Sequence, residues 1–168
     1  GADGKISLRE AILAANNTAG TSTIRFNIKG TITLTSSITI SDTVIIDGTS
    51  APGYLTPGSH GFDLNTFLSN NSTAANRAAN LPDNITAGSS VDTDGFGIHI
   101  TSSTYLSSFF NFTNGSGNSA LKGLEISNFG NTAININTSD SGIIIQDNYI
   151  HGRNNGGGSE YAIKIAGS

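Results

Sequence analysis

Hydrophobic and polar positions alternate most cleanly over Thr31–Gly48, TITLTSSITISDTVIIDG. Ile32/Leu34, Ile38/Ile40 and Val44/Ile46 each place apolar side chains at every second position, with Ser, Thr and Asp filling the gaps. A β-branched run of period two is a strand with one face turned inward and the other outward. The gaps hold no Asn-Gly or similar hairpin dipeptide, so the pattern predicts a chain turning corners around a narrow core, not a meander of hairpins. Ile24–Ile28 alternates in the same way just before it, and Asp47-Gly48 closes the stretch with a turn signal. Thr31–Gly48 therefore reads as the first full coil.

Ser7–Asn16, SLREAILAAN, has the other period. Ser7 and Glu10 form an S-x-x-E capping box, and Leu8, Ala11, Ile12 and Ala15 follow at helical spacing as one apolar stripe. Two to three turns are too short to stand alone in water, so the stripe must lie on something. The open end of the first coil is the natural place, because apolar side chains and unpaired strand edges there invite aggregation.

Thr49–Asp92 breaks the alternation. It opens with Ala51-Pro52-Gly53-Tyr54 and Pro57-Gly58, holds a candidate strand at Phe62–Leu64, and turns Asn-, Ala- and Ser-rich from Asn65 to Ser90, with helical turns expected near Ala74–Ala79. A stretch this long without regular structure is uncommon inside a compact domain, so it reads as a lateral insertion. Alternation returns at Phe96–Ile100, Phe109–Phe112 and Leu121–Ile126. Leu124–Phe129 resembles Ile143–Ile150 at an offset of about twenty residues, and Ala133–Ile136 resembles Ala162–Ile165 at a longer one. The glycine-rich Arg153–Glu160 accounts for the difference. Such periods, with two or three short strands each, are those of a solenoid. Asn128 and Asn148 are candidates for an internal amide ladder. The pattern is still running at Ile163–Ile165, which leaves an open coil for a second copy, or for further coils of a longer chain.

The expected fold is thus an all-β, right-handed parallel β-helix of one domain, residues 1–168, capped at its N-terminus by the helix at 7–16. Composition narrows the function. The 168 residues carry 12% charge, a net charge of −4, 36% apolar residues, 21 glycines and no cysteine. Apolar strand-like runs argue against disorder, and the negative balance argues against nucleic acid as the main partner. No run is long enough to span a bilayer, and without cysteine there are no thiolate metal sites, Cys nucleophiles or disulfides.

Ile6-Ser7-Leu8-Arg9-Glu10-Ala11 resembles the CSLREA motif that opens many secreted bacterial right-handed parallel β-helix proteins, with Ile6 where the family usually has Cys. Asp3-Gly4, Ala15-Asn16, Val44–Gly48, Pro52–Tyr54 and Leu121–Ile126 extend the similarity. The resemblance implies an exported, extracellular or cell-surface protein of structural or adhesive type, and it supplies no catalytic residue. Ser7, Leu8, Glu10 and Ile12 would form the cap. Ile163 and Ile165 would form the assembly edge, through which copies could join end to end into fibres.

The alternative is a polysaccharide-active lyase or glycosidase. Asp92, Asp94 and His151 are its candidate residues, similar to pieces found in pectin-cleaving β-helix glycosidases. Glycoside hydrolysis needs two carboxylates about 5–10 Å apart, whereas solvated turn aspartates account for Asp92 and Asp94 equally simply. No cofactor is expected. A Ca²⁺ site could draw only on Asp92, Asp94 and Asp63, a sparse oxygen set. His60, His99 and His151 lack metal-ligand spacing, and His99 should point outward between inward Ile98 and Ile100. Tyr54, Tyr105, Tyr149 and Tyr161 could stack on carbohydrate, though strand packing explains them as well.

Overall fold

The computed structural model describes residues 5–54, 96–152 and 161–166. The described chain is mostly β, with one α-helix, α1 (Leu8–Asn16), and twelve short strands. In chain order these are β1 (Ser22–Arg25), β2 (Gly30–Thr33), β3 (Ile38–Ile40), β4 (Val44–Asp47), β5 (Ile98–Thr101) and β6 (Ser108–Phe112). They continue as β7 (Ala120–Lys122), β8 (Glu125–Ser127), β9 (Thr132–Ile136), β10 (Ile144–Gln146), β11 (Tyr149–His151) and β12 (Tyr161–Ile165). Three consecutive strands enter three different sheets, and the fourth returns to pair with the first. The sheets run β1-β4-β7-β10, β2-β5-β8-β11 and β3-β6-β9-β12, and among the described residues every pairing is parallel. Four coils are therefore stacked, with neighbouring strands about 4.8 Å apart.

Stacking aligns like with like. Ile32, Ile100, Ile126 and Ile150 form one inward column, and Ile38, Phe110, Ile134 and Ile163 form another. The middle coils bury these side chains fully, with Ile100, Ile126, Phe110 and Ile134 all inaccessible. Phe109 is buried as well, edge-to-face with Phe129 at 6.5 Å between ring centroids.

The repeat is 24 residues from β6 to β9, β7 to β10 and β8 to β11, where Ala120 pairs with Ile144 and Glu125 with Tyr149, against 22 from β1 to β4 and 26 from β5 to β8. That corrects the offset of about twenty expected from sequence. Leu124-Glu-Ile126 lies beneath Asn148-Tyr-Ile150, not beneath Ile143–Ile145. Asn128 and Asn148 consequently do not stack on each other. Asn148 instead accepts from the Leu124 N–H at 3.0 Å and donates to the Leu121 carbonyl at 2.8 Å. The side-chain amide contact between coils lies on the third sheet, where Asn135 donates to Asn111 at 3.1 Å. The longer offset between Ala133–Ile136 and Ala162–Ile165 agrees with the register, in which Ile134 meets Ile163 and Ile136 meets Ile165.

Corners obey the same period. Asn118 and Gly142 (φ +59° and +81°), Gly123 and Asp147 (+69° and +53°), and Asn128 and Gly152 (+55° and +59°) are 24 residues apart, all left-handed. Only Gly, Asn and Asp enter that region readily, and these three types share the corners.

The helix closes the first coil as expected. Ser7 and Glu10 complete the reciprocal capping box, and Leu8, Ile12 and Ala15 are buried against β1, β3 and β4. Two residues with no assigned role tie it to the strand edge. Arg9 donates to the carbonyls of Ser36 and Ser37, the latter at 2.9 Å. Asn16 donates to the Thr39 carbonyl at 2.9 Å and accepts from the Ser41 N–H at 3.1 Å.

Three boundaries shift. The first coil is β1–β3, so Thr31–Gly48 straddles two coils, with β4 opening the second. The first strand ends at Arg25, and Ile28 is exposed outside it. Thr49–Tyr54 belongs to the coil: Gly48–Ser50 forms a 3₁₀ turn, Ser50 Oγ accepts from the Phe26 N–H at 2.8 Å, and Ala51 is buried. The candidate strand at Phe62–Leu64, the turns near Ala74–Ala79 and the Arg153–Glu160 loop lie outside the described residues.

Candidate functional site on the second sheet

Chemistry-bearing side chains converge on the outer face of the β2-β5-β8-β11 sheet. Register sets two outward columns there. One runs Thr31, His99, Glu125, Tyr149, and the other Thr33, Thr101, Ser127, His151. The Thr101–Ser127 step in the second column follows from its neighbours' pairing. Inward Ile98 and Ile100 leave His99 facing out, as its alternating position requires.

Polar partners cross the columns on the same diagonal twice. His99 Nε2 meets Ser127 Oγ at 2.6 Å, from β5 to β8. One coil further on, Glu125 Oε1 meets His151 Nε2 at 2.7 Å, from β8 to β11. Diagonal neighbours in a sheet lie within reach of long side chains, and the constant register repeats the geometry. Glu125 is only 4% exposed, so the imidazole above it supplies the hydrogen bond that a buried carboxylate requires. Asn128 Nδ2, at the adjoining corner, donates to Thr101 Oγ1 at 3.2 Å.

Aromatic rings continue the face. The Tyr149 and His151 rings stack at 4.3 Å between centroids and 24° between planes. Phe96 lies 6.4 Å from Tyr149 and near-parallel at 15°, and Tyr54 meets Phe96 edge-on at 6.0 Å. The Tyr54 hydroxyl is buried without a hydrogen-bond partner. Burial first, then the Asp147 and Asp47 carboxylates, push its pKa above the usual tyrosine value. Asp47 itself is held by Lys122, at 3.7 Å on the next coil of the first sheet, and by the Thr49 hydroxyl.

Of the sequence-predicted residues, His151 falls on this face, whereas Asp92, Asp94, Asp63 and His60 lie outside the described residues. Among the described residues Glu125 is the single carboxylate of the two columns, where a glycosidase pair needs two. Ser127 is buried beside His99, so its hydroxyl locks the imidazole in place instead of facing solvent. Glu125, Ser127 and the role of His99 were not evident in the sequence. A 24-residue period aligns Ser127 with His151 and Glu125 with Tyr149, whereas His99 stands 26 residues before Glu125 and is placed only by the register.

The assembly candidates Ile163 and Ile165 lie on β12 at the edge of the third sheet, 40% and 76% exposed. No helix among the described residues is long and apolar enough to cross a membrane. Compared with protein-family models, curated proteins and solved structures, the chain matches none.

Proposed function

We propose that this chain is a structural, adhesion-type β-helix displayed outside the cell, wound right-handed, whose fourth coil is a joining surface for another coil, of the same chain or of a second copy. The supporting observation is the contrast between the first and the fourth coil. At the first coil, α1 buries Leu8, Ile12 and Ala15 and supplies Arg9 and Asn16 to the edge of β3. At the fourth, Ile163 and Ile165 continue the inward columns of Ile134 and Ile136 with their outer sides exposed. Parallel strands and in-register apolar columns are what an added coil would extend, as in strand addition. Right-handed winding is the usual hand for a connection between parallel strands of one sheet. Extracellular display rests on the CSLREA-like Ile6–Ala11 segment and on a polar surface low in charge and free of cysteine.

Joining through a second copy takes two forms. End-to-end fibres require α1 to leave the first coil, whereas pairing of two fourth coils keeps it in place and gives a closed dimer. Sedimentation velocity of the chain against Ile163→Lys/Ile165→Lys tests the proposal. Concentration-dependent association that the double substitution abolishes, and that Leu13→Lys on the outer face of α1 leaves intact, is the expected result. A chain that stays monomeric to millimolar concentration overturns joining by a second copy.

A further inference from the structure

Hydrogen bonding within the fourth coil, β10 to β12, determines which backbone groups face its open edge. Ile144 donates to the Ser119 carbonyl at 2.9 Å, and the Gln146 carbonyl accepts from the Gly123 N–H at 3.3 Å. Alternate residues of a parallel strand face opposite neighbours, so Ile145 between them turns its N–H and C=O to the edge. Tyr149 donates to the Leu124 carbonyl at 2.9 Å, which leaves Ile150 facing the edge in the same way. On β12 the register passes over Ala162, and Ala166 donates to the Ile136 carbonyl at 2.8 Å. Alternation back from Ala166 turns Lys164 to β9, and Ile163 and Ile165 to the edge. Ile145, Ile150, Ile163 and Ile165 are also the inward residues, continuing the columns of Leu121, Ile126, Ile134 and Ile136.

We infer that this coil docks the fourth coil of a second copy, face to face about a two-fold axis, as a closed dimer. The inference rests on the joining role proposed above and names its partner. Such an axis sets each strand antiparallel to a strand of the other copy. Passing between Asp147 and Asn148, and through β12, it lays β10 on the partner's β11, each three residues long. Ile145 then meets the partner's Ile150 with both backbones turned to the junction. That is the hydrogen-bonded kind of antiparallel pair, in which each residue donates to the other and accepts from it. Both side chains point inward, so the apolar columns join across the junction. The flanking pairs, Ile144 with the partner's His151 and Gln146 with the partner's Tyr149, stay on the outer surface and oppose no like charges. On β12 the strand crosses its own copy and covers Ile163 and Ile165, 40% and 76% exposed in the single chain. A slip of one residue would set inward side chains against outward ones and break the backbone pairing. This self-complementarity is what an isologous interface requires. The first coil offers no equivalent, because Arg9 and Asn16 already occupy the edge of β3.

The chain has no cysteine, so introduced cysteines report on the junction alone. Gln146→Cys and Tyr149→Cys chains, oxidised separately and as an equal mixture, test the pairing on non-reducing gels, beside sedimentation velocity of the parent. Opposed residues of a non-hydrogen-bonded antiparallel pair lie about 4.5 Å apart between Cα atoms, within disulfide range. The expected result is a parent that dimerises, and a mixture that gives about tenfold more disulfide dimer than either variant alone. A parent that stays monomeric, as it would if only a further coil of a longer chain fits this face, overturns the inference. So do assemblies larger than a dimer. A dimer whose mixture crosslinks no better than the separate variants overturns the two-fold pairing and leaves coil joining standing. Should either variant lose its folded circular dichroism, Ile144→Cys with His151→Cys, the other flanking pair, is read by the same criterion.

Discussion

The Arg9 guanidinium of α1 donates to the backbone carbonyl of Ser37 at 2.9 Å, and through its other terminal nitrogen to that of Ser36. Those carbonyls lie just before β3, whose far side pairs with β6 and whose near side has no strand beside it among the described residues. The planar fork of one arginine thus occupies part of an edge that would otherwise template another chain. Asn16, two turns along the same helix, pairs with Thr39 and Ser41 in the same manner.

Removing either anchor should therefore be felt at the edge as well as in the helix. Hydrogen bonds from charged groups contribute about 1.5–3 kcal/mol, and neutral ones about 0.5–1.5 kcal/mol. Arg9→Ala is expected to cost about 2 kcal/mol and Asn16→Ala about 1 kcal/mol on those scales. Urea titration measures both, and light scattering during refolding should show more aggregation for Arg9→Ala than for Asn16→Ala. A stability unchanged in Arg9→Ala would show that burial of Leu8 and Ile12 holds the cap alone.

Acid should loosen the same cap through Glu10. Its carboxylate accepts from the Ser7 N–H at 2.9 Å and from the Ser7 hydroxyl at 2.9 Å. The backbone bond first, and then the hydroxyl, hold its pKa down from 4.5 to about 2. A carboxylate with a depressed folded pKa binds fewer protons folded than unfolded. Its stabilisation is complete above pH 4.5 and is lost as pH falls toward 2. The melting temperature of the parent should fall through this window more steeply than that of Glu10→Gln. Parallel pH profiles for the two proteins would rule out this contribution.

Corner glycines differ sharply in what they tolerate. A methyl at Gly123 would sit 2.6 Å from Thr49 Cγ2 and 2.7 Å from the Thr49 backbone nitrogen, at φ +69°. Gly152 shares the left-handed conformation, but its nearest neighbour would be Ser127 Cβ at 3.7 Å. Left-handed backbone alone costs an alanine about 1–2 kcal/mol, so Gly123→Ala, with the clash added, should lose about 3 kcal/mol or more. Gly152→Asn should change stability by less than about 1 kcal/mol, since Asn128 holds the same conformation one coil below. Denaturant midpoints for the two variants give the comparison directly, and equal losses would contradict it.

How much of this was legible in the sequence depended on range. The capping box, the α1 stripe and the alternation of β2–β5 are local patterns, and they were read correctly at Ser7, Glu10, Ile12, Ile38 and Ile100. Coil-to-coil register is not local. Leu124-Glu-Ile126 and Ile143-Ile-Ile145 look alike, because every inward strand of a solenoid needs the same β-branched residues. Similarity of strands therefore could not distinguish one sheet from the next. The corners could: Asn118/Gly142, Gly123/Asp147 and Asn128/Gly152 all carry the 24-residue period, since left-handed backbone restricts their choice of residue. The Glu125–His151 and His99–Ser127 pairs remained hidden for the same reason, because each joins different coils on a diagonal that only the register defines.

Tyr54 offers the last test, because its ring and its hydroxyl have opposite effects. The ring lies edge-on to Phe96 at 6.0 Å and covers Gly123, with a methyl there only 3.0 Å from Tyr54 Cε2. The hydroxyl is buried without a partner. Leaving such a group unpaired costs about 1–3 kcal/mol, so Tyr54→Phe should hold stability or raise it by up to about 1 kcal/mol. Tyr54→Ala removes the ring as well and should cost about 2–3 kcal/mol, below the range for a fully buried aromatic. Alkaline titration separates the two contributions. Burial, followed by Asp147 and Asp47, raises the folded pKa above 10.0, so the unfolded chain ionises first. Stability conferred by the neutral phenol is complete below pH 10 and falls as pH rises toward the folded value. Tyr54→Phe should flatten that alkaline limb in thermal melts, and an alkaline limb identical to the parent's would place its origin elsewhere.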